Sequence, residues 1–359
     1  MLDTLKKLFK FVVLNLHRPT LPSPIPACPS QGRRGPDLIP AALHARRHAG
    51  DRKPGHRVVI THIYTRLRQF GDANSPETAV FGPREESGAR GGNSHGRVKS
   101  AQLYRPEKRN AMNRAFWSEM VECFSQIAVD AECRVVVVSG AGKIFTAGID
   151  LMDMSSDFIQ PVGDDSARTS WNLRRLIAKY QETFSVIEKC PKPVVVAVHG
   201  ACIGGGVDLI TACDIRLCTQ DAWFQVKEVD IGLAADVGTL QRLPSVIGSR
   251  SLVNELALTA RKMYSDEAKT CGLVSRVFPD KEAMLAGALE LAGEIAARSP
   301  VAVQGTKINL IYSRDHSVAD SLDYMATWNM SMLQTQDVLK SAQAAIEKKS
   351  PKEVPFSKL

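Results

Sequence analysis

Residues 193–212 read PVVVAVHGACIGGGVDLITA, with a β-branched run, a glycine turn and an apolar run in immediate succession. The run Pro193–Val198 lacks the alternation of a half-exposed strand and is typical of a strand buried on both faces. The apolar residues from Val207 to Ala212 predict a helix. Glycines 204–206 let backbone N–H groups approach a ligand at the N-terminus of that helix. This stretch therefore predicts a buried strand leading through a tight turn into a helix.

The flanking sequence continues this organisation. Arg134–Ser139 (RVVVVS) is a second unalternated run, and between the two runs Trp171–Lys189 carries apolar residues at helical spacing. The order strand, helix, strand indicates an α/β fold. Further helices are predicted at 237–246, 250–260, 281–298, 301–312 and 318–346. The last of these carry enough apolar surface to suggest packing against another subunit.

Three carboxylates accompany the glycine turn: Asp208, Glu228 and Asp236. A buried, unpaired carboxylate costs several kcal/mol, and a cost of that size shifts its pKa toward the range that proton transfer near neutral pH needs. Each acid also has a local structural explanation. Asp208 would complement the dipole at a helix N-terminus, and Asp236 would serve as the N-cap of a helix. Glu228 comes directly after Lys227 and would be explained as an exposed charge.

Composition limits the chemistry. Six of the eight histidines lie in residues 1–98, so only His199 and His316 remain for the rest of the 359-residue chain. This distribution argues against a histidine-based triad or a multi-histidine metal site. The eight cysteines form no C-x-x-C pair and lie mostly in apolar surroundings, which predicts buried, reduced thiols in an intracellular compartment.

The N-terminal third differs from the remainder. Residues 1–98 hold 16 Lys/Arg and 7 Asp/Glu, whereas residues 99–359 hold 30 and 31. This basic extension is of low complexity and is expected to be largely disordered. Within it, residues 1–17 have an amphipathic pattern. The pattern predicts a mitochondrial targeting helix, a membrane-surface helix, or a helix with no targeting function. No apolar run reaches the roughly 20 residues needed to span a bilayer.

Four stretches together identify a family. Residues 105–112 (RPEKRNAM), 145–151 (FTAGIDL), 204–208 (GGGVD) and 232–243 (GLAADVGTLQRL) resemble, in this order, the crotonase (enoyl-CoA hydratase/isomerase) superfamily. Within it, Asp236 is typical of the branch that isomerises dienoyl-CoA thioesters, because plain hydratases usually have a glycine-rich loop there. The resemblance covers residues 101–359, and the ordered set is much more specific than the triple glycine alone.

The resemblance implies a crotonase-like spiral of β-β-α units over 99–300. It also implies a C-terminal helical region over 301–359 that builds trimers, commonly paired into hexamers. The backbone N–H groups of Ile149 and Gly205 are expected to form an oxyanion hole for the thioester carbonyl of an acyl-CoA, where one good donor is worth about 2.7–4 kcal/mol in the transition state. Residues expected to line the substrate site are Ala147, Gly148, Ile149, Asp150, Leu151 and Gly205.

The implied reaction is a 1,5 proton shift that converts a 3,5-dienoyl-CoA into a 2,4-dienoyl-CoA. Glu228 and Asp236 match the acid/base positions of the family, with Asp208 as a third carboxylate beside them. Alignment with hydratases gives Glu228 the C2 proton and Asp236 the C6 proton, although the sequence also permits the reverse. Proton transfer requires no metal and no redox cofactor. His199, just before the glycine turn, is expected to be a core residue and not a base.

The segments that border the nucleotide in this family contain Arg105, Lys108, Arg109 and Lys143. These four are candidates for contacts to the phosphates of CoA, although each is equally well explained as a solvated charge. One departure from the family concerns the strand pair before residue 105. Residues 91–100 are polar and glycine-rich, which predicts that an early edge of the sheet is missing.

The chain ends in Ser357-Lys358-Leu359, the peroxisomal tripeptide address that an import receptor reads. The resemblance also implies possible mitochondrial residence, so a peroxisome is expected first and a mitochondrion second. Two other functions stay open. An enoyl-CoA hydratase would use Asp208 and Glu228 to activate water, and the basic residues 1–98 would suit a nucleic-acid-binding member of the superfamily, although the extension lacks clustered aromatic residues for base stacking.

Overall fold

A computed structural model describes residues 80–83, 97–154 and 162–359 of the chain. The amphipathic segment 1–17, Cys28 and most of the basic extension lie outside these residues. The described residues form two β-sheets with helices around them, which confirms the predicted α/β fold class. Both central strands lie where the valine runs predicted them.

The larger sheet has six strands in the order β1-β2-β3-β4-β6-β9. Its strands are β1 (Val80–Pro83), β2 (Val98–Tyr104), β3 (Val135–Gly140), β4 (Val194–Val198), β6 (Ile215–Thr219) and β9 (Arg276–Phe278). Within this sheet, β1 pairs antiparallel with β2. All the other neighbouring strands, from β2 through β3, β4 and β6 to β9, pair in parallel. The smaller sheet joins β5 (Ala201–Ile203), β7 (Trp223–Gln225) and β8 (Met263–Tyr264).

The early sheet edge is present, so the predicted gap before residue 105 is wrong. Strand β2 begins at Val98, and β1 lies inside the extension, where no strand was expected. Strand β2 escaped notice because only Ala101 and Leu103 of it are fully buried, while its other residues are partly or fully exposed. Its backbone pairing with β3 is nevertheless continuous from Val98 to Leu103.

The helices surround the sheets. In chain order they are α1 (Arg114–Val129), α2 (Ser166–Lys189), α3 (Gly205–Ala212), α4 (Thr239–Ile247), α5 (Arg250–Thr259), α6 (Ser265–Thr270), α7 (Lys281–Ala296), α8 (Pro300–Asp315), α9 (Val318–Met332) and α10 (Gln336–Ile346). The single helix predicted over 318–346 is in fact two, because Thr335 caps a new helix with its side chain. Among the described residues, no helix is long and apolar enough to cross a bilayer.

The strands are buried on both faces because two apolar layers cover the larger sheet. Val136, Val138 and Val196 face the layer that contains the aromatic residues of α1 and α2. Val135 and Val137 face the opposite layer, formed with α7. Alternate valines of one strand therefore enter different layers, which explains why their sequence shows no alternation of apolar and polar residues.

Buried cations join the C-terminal helices to the sheet region. The Lys307 ammonium on α8 lies 2.8 Å from Asp214 and donates to the carbonyl oxygens of Ile187 and Lys192, each at 3.0 Å. The Arg134 guanidinium donates to the carbonyl oxygens of Ala296 at 3.0 Å and Phe356 at 2.8 Å. These contacts hold the C-terminal helices and the chain end against the core.

Candidate active site

The glycine turn brings the N-terminus of α3 close to a second loop. Gly204 has φ 51° and ψ −118°, a backbone conformation that residues with a Cβ rarely adopt. The Gly204 N–H donates to the Gln225 carbonyl at 2.9 Å. A Cβ built on Gly206 would lie 2.5 Å from Thr146 Cγ2. Glycine at 206 therefore allows α3 to pack directly on residues 145–149.

That second loop is fixed by main-chain pairing on both sides. The Thr146 N–H donates to the Ala201 carbonyl at 3.0 Å, and the Met112 N–H donates to the Gly148 carbonyl at 2.8 Å. The Thr146 hydroxyl bridges the loop by donating to Asn110 O at 2.7 Å and accepting from Gly148 N at 3.1 Å. The loop that carries Ile149 is thus held as rigidly as a strand.

The two residues predicted to supply the oxyanion donors are close neighbours. A Cβ built on Gly205 would lie 3.7 Å from Ile149 Cγ1. In the described part of the chain, the N–H groups of Ile149 and Gly205 have no hydrogen-bond acceptor. Gly205 is also the first residue of α3, where the helix dipole favours negative charge. Two free donors at such a place suit the oxygen of a carbonyl that gains negative charge.

Asp208 is fully buried in the first turn of α3. Its Oδ1 accepts from the Thr239 N–H at 2.5 Å, while Oδ2 has no partner among the described residues. Burial raises the pKa of Asp208 to about 6, against the hydrogen bonding from Thr239 and the positive charge of Arg242. The Asp208 carboxylate therefore binds the N-terminus of α4 in addition to lying in the first turn of its own helix.

Glu228 is also buried, with 6% of its surface exposed, so its reading as an exposed charge is wrong. It begins a short 3-10 helix, Glu228–Ile231, that turns its side chain inward, and a Cβ built on Gly204 would lie 3.4 Å from its Oε1. Burial and then the charge of Asp208 raise the pKa of Glu228 to about 7. This carboxylate lies beside the glycine turn with a pKa suited to proton transfer.

Asp236 is half-buried in the loop between the 3-10 helix and α4. Burial raises its pKa, and its charge in turn raises the pKa values of Asp208 and Glu228, so the three acids form one electrostatic group. Asp236 is not a helix N-cap, because Gly238 holds that position in α4. Its backbone carbonyl accepts from Gln181 Nε2 at 2.8 Å.

The structure separates Arg105 from the other three phosphate candidates. Arg105 is buried, and its Nη1 donates to Asp150 at 2.6 Å and to the Ala111 carbonyl at 3.2 Å. The Arg105 guanidinium lowers the pKa of Asp150. Arg105 and Asp150 thus form an ion pair that supports the 145–151 loop, and the roles expected of them, phosphate contact for Arg105 and site lining for Asp150, stay predictions. Lys108, Arg109 and Lys143 are exposed.

The other predicted residues fall into two groups. Ala147 and Leu151 flank the oxyanion loop, Ala147 partly buried and Leu151 exposed. His199 is buried, and its Nε2 lies 3.0 Å from Gly142 O and 3.1 Å from Lys281 Nζ. Burial and Lys281 lower the pKa of His199, in agreement with its expected place in the core.

The chain end and the cysteines complete the predicted set. The Lys192 ammonium donates to the Leu359 carbonyl at 3.3 Å, and Lys358 forms an ion pair with Glu132. The seven cysteines in the described part of the chain are free thiols, and five of them are buried.

Sequence reasoning missed two side chains that touch the Asp236 loop, Gln181 of α2 and Arg242 of α4. Arg242 lies in the quoted stretch 232–243, but nothing in a linear sequence distinguishes an arginine that supports a loop from one in solvent. Along α2 next to Gln181 runs an open groove of about 460 Å³. It is lined by Ser170, Leu173, Arg174, Ile177, Ala178 and Gln181.

Comparison with known proteins places this geometry in context. Residues 94–353 match the family model "Enoyl-CoA hydratase/isomerase". The chain is 74% identical over 262 residues to the mitochondrial Delta(3,5)-Delta(2,4)-dienoyl-CoA isomerase of Rattus norvegicus, covering 73% of this chain and 80% of that protein. It is 47% identical over 258 residues to the peroxisomal Delta(3,5)-Delta(2,4)-dienoyl-CoA isomerase of Arabidopsis thaliana, covering 72% and 91%.

Solved structures show the same fold. An enoyl-CoA hydratase from Bacillus anthracis superposes with a TM-score of 0.64 at 29% identity, covering 73% of this chain and 95% of that one. A putative enoyl-CoA hydratase from Thermobifida fusca, in complex with acetoacetyl-CoA, superposes with a TM-score of 0.58 at 30% identity, covering 66% and 92%.

Proposed function

This chain belongs to the enoyl-CoA hydratase/isomerase family, and we propose that it converts 3,5-dienoyl-CoA thioesters into 2,4-dienoyl-CoA thioesters. The observation that carries the proposal is Asp236, a third acid with a raised pKa beside Glu228 and Asp208. A 1,5 shift needs two separated proton carriers, whereas addition of water to a 2-enoyl-CoA does not need Asp236. Relatives with this activity in their names cover most of the chain.

In this mechanism the thioester carbonyl oxygen of the substrate accepts hydrogen bonds from the backbone N–H groups of Ile149 and Gly205. Glu228 removes a proton from C2, and the electron pair moves toward the carbonyl oxygen and along the diene. The two donors stabilise the negative charge on that oxygen, each by about 2.7–4 kcal/mol. The raised pKa of Glu228 matches the base to a weak carbon acid near neutral pH.

Asp236 then gives a proton to C6. The double bonds move from C3=C4 and C5=C6 to C2=C3 and C4=C5, so one proton leaves, one arrives and no other atom is exchanged. Burial raises the pKa of Asp236, which helps this acid to keep its proton before the transfer. The acyl chain beyond C6 is assigned to the groove along α2, because Gln181 both lines this groove and binds the Asp236 carbonyl.

The test incubates the full chain with 3,5-octadienoyl-CoA and follows the ultraviolet absorbance of the conjugated 2,4-dienoyl thioester. The band is expected with the wild type, and Asp236→Asn is expected to lower kcat by about 10²–10⁴-fold because a positioned acid is lost. Asp230→Asn is the matched control, since Asp230 lies nearby in sequence but is exposed and paired with Lys227.

The contradicting result is equally clear. Absence of the band together with hydration of a 2-enoyl-CoA would establish the hydratase alternative, in which Asp208 and Glu228 activate water and Asp236 is not needed. Loss of binding to nucleic acid on raising the salt concentration, mapped to residues 1–98, would instead support the nucleic-acid-binding alternative.

We propose a place in the β-oxidation of unsaturated fatty acids, with the peroxisome as the first location and the mitochondrion as the second. Ser357-Lys358-Leu359 supports the peroxisome, and the names of relatives include both compartments. Imaging of the full chain and of a chain lacking Leu359 tests this. Identical distributions would exclude the tripeptide as the address.

A further inference from the structure

The segment that carries Asp236 is held at three points by side chains from the surrounding helices. Gln181 Nε2 of α2 donates to the Asp236 carbonyl at 2.8 Å, and Arg242 Nη1 of α4 donates to the Val237 carbonyl at 3.4 Å. The Thr239 N–H donates to the Asp208 carboxylate at 2.5 Å. The backbone on both sides of Gly238 is therefore fixed relative to the other acids.

Arg242 is itself fixed by α2. The residue is 9% exposed, and its Nη2 donates to Glu188 at 3.0 Å and to the Ser185 hydroxyl at 3.1 Å. Glu188 also accepts from Arg314 of α8 on its other oxygen, which holds the Glu188 carboxylate in place. Glu188 and Ser185 thus position the Arg242 guanidinium through Nη2, and Nη1 of the same group supports the Asp236 loop.

Gly238 shows how closely the guanidinium covers this loop. A Cβ built on Gly238 would lie 1.8 Å from Arg242 Nη1. Gly238 also has φ 140°, in the region that favours glycine. Any residue larger than glycine at position 238 would displace the Arg242 guanidinium. Glycine at this position therefore allows the arginine to pack against the Asp236 loop.

The charge of Arg242 also acts on Asp208. Asp208 is surrounded by the Thr239 N–H, the charges of Arg242 and Asp236, and the buried groups Glu228 and Cys202. Of these, Arg242 is the cation, and its charge lowers the pKa of Asp208 while burial and Asp236 raise it.

We propose that Arg242 is a positioning residue for the proton transfer. Its guanidinium, oriented by Glu188 and Ser185, holds the Asp236 loop through Val237 and places a positive charge opposite Asp208. This inference rests on the proposed isomerase function and adds to it a residue that touches neither the substrate nor the reacting atoms.

The test compares Arg242→Gln, Arg242→Lys and Gly238→Ala with the wild type on 3,5-octadienoyl-CoA. Misplacing Asp236 by about an ångström is expected to lower kcat about 10²-fold in all three. The KM is expected to stay within about threefold of the wild-type value, because Ile149 and Gly205 hold the thioester at the other end of the site.

The pH profile separates position from charge. Arg242→Gln removes the cation and is expected to move the limb of the kcat profile that Glu228 sets, because Asp208 loses an opposite charge and the charge of Asp208 acts on Glu228. Arg242→Lys and Gly238→Ala keep a cation, so their limbs are expected where the wild type has them. A lowered kcat with unmoved limbs in Arg242→Gln would overturn the electrostatic part of the proposal.

The matched control is Arg261→Gln. Arg261, like Arg242, pairs with glutamate, in its case Glu255 and Glu267, but no ion pair or hydrogen bond joins it to the Asp236 loop in the described part of the chain. It is expected to have wild-type kinetics. An Arg242→Gln enzyme with wild-type kcat and pH profile would overturn the whole proposal while the isomerase function stands. A wild type that forms no conjugated product would overturn the proposed function, and this inference with it.

Discussion

At the scale of single residues, burial decides what each acid can do. Glu228 stands between Lys227 and Val229 in sequence and has the local appearance of a solvated charge, yet it is 6% exposed and has a pKa of about 7. Asp208 is fully buried with one carboxylate oxygen unpaired. Such buried carboxylates with an unpaired oxygen are costly to stability.

The kcat of the wild type is expected to follow a bell-shaped pH profile, because one of Glu228 and Asp236 must be ionised while the other is protonated. Activity is lost at low pH when both hold protons and at high pH when neither does. Burial raises the pKa values of both acids, so both limbs should lie above the roughly pH 4 of ordinary carboxyl groups. A profile that is flat from about pH 4 to about pH 9 would contradict a pair of carboxylates as the proton carriers.

Glu228→Gln is expected to stabilise the fold at high pH. The pKa of Glu228 is raised from 4.5 to about 7, so the native state binds this proton more tightly than the unfolded state does. The free energy of unfolding of the wild type should therefore fall as the pH rises through this window, by roughly 3 kcal/mol in total at about 1.4 kcal/mol for each pH unit.

Urea unfolding of both proteins at about pH 5 and about pH 8 measures this effect. The variant should match the wild type at the lower pH and exceed it at the higher one. Equal pH dependence in the two proteins would contradict a raised pKa for Glu228.

At the scale of elements, α3 packs closely against the loop 145–149 because its own residues at this contact are glycines. Gly206 provides this contact, since a Cβ there would meet Thr146 Cγ2 at 2.5 Å. Arg105 supports the same loop through Asp150 from 45 residues away. Ile149 and Gly205, the residues proposed to supply the oxyanion donors, are therefore placed by packing between two segments, each of which carries one of them.

Gly206→Ala is expected to destabilise the fold by about 1–3 kcal/mol, because the added methyl group overpacks the contact with Thr146. The shift of α3 should also lower kcat, because Gly205 moves with it. Thermal unfolding and the dienoyl assay measure the two effects.

Gly293→Ala is the matched control. Gly293 lies in α7, and a Cβ built on it has no atom within 4 Å. This substitution should raise stability by about 0.5–1 kcal/mol through helix propensity and leave activity unchanged. The reverse order of stability in the two variants would show that the contact at Gly206 is not tight.

At the scale of the whole molecule, the C-terminal helices are held to the core from one side and are apolar on the other. Lys307 and Arg134 make the buried polar contacts. Helix α9 has no fully buried residue, although it carries Leu322 and Met330, which are both largely exposed. This pattern is typical of a surface that another chain covers.

Lys307→Met is expected to destabilise the protein by roughly 3 kcal/mol, because it leaves Asp214 without its ammonium partner. The matched control is Lys189→Met, which breaks the exposed ion pair with Glu182 and should cost less than about 1 kcal/mol. Urea unfolding of both variants checks the difference, and equal costs would exclude a special role for the buried pair.

We expect the protein to form trimers or hexamers through the apolar surface of α8, α9 and α10. Light scattering in solution should then give three or six times the 39.2 kDa of one chain. A double substitution, Leu322→Glu with Met330→Glu, should lower the measured mass, because two charges would be buried in the interface. A wild-type mass of one chain would contradict the role given to these helices.

The sequence by itself determined the two central strands, β3 and β4, and most of the helices, because valine runs and helical spacing report local burial directly. It also determined the family, since four motifs in a fixed order are specific where each alone is weak. Only the tertiary structure decided which charges are buried. Arg105 with Asp150, Arg242 with Glu188, and Gln181 with Asp236 are contacts between residues distant in sequence, and no periodicity encodes such pairs. The same holds for β2, whose residues are mostly only partly buried and whose place in the sheet depends on its neighbours, β1 and β3.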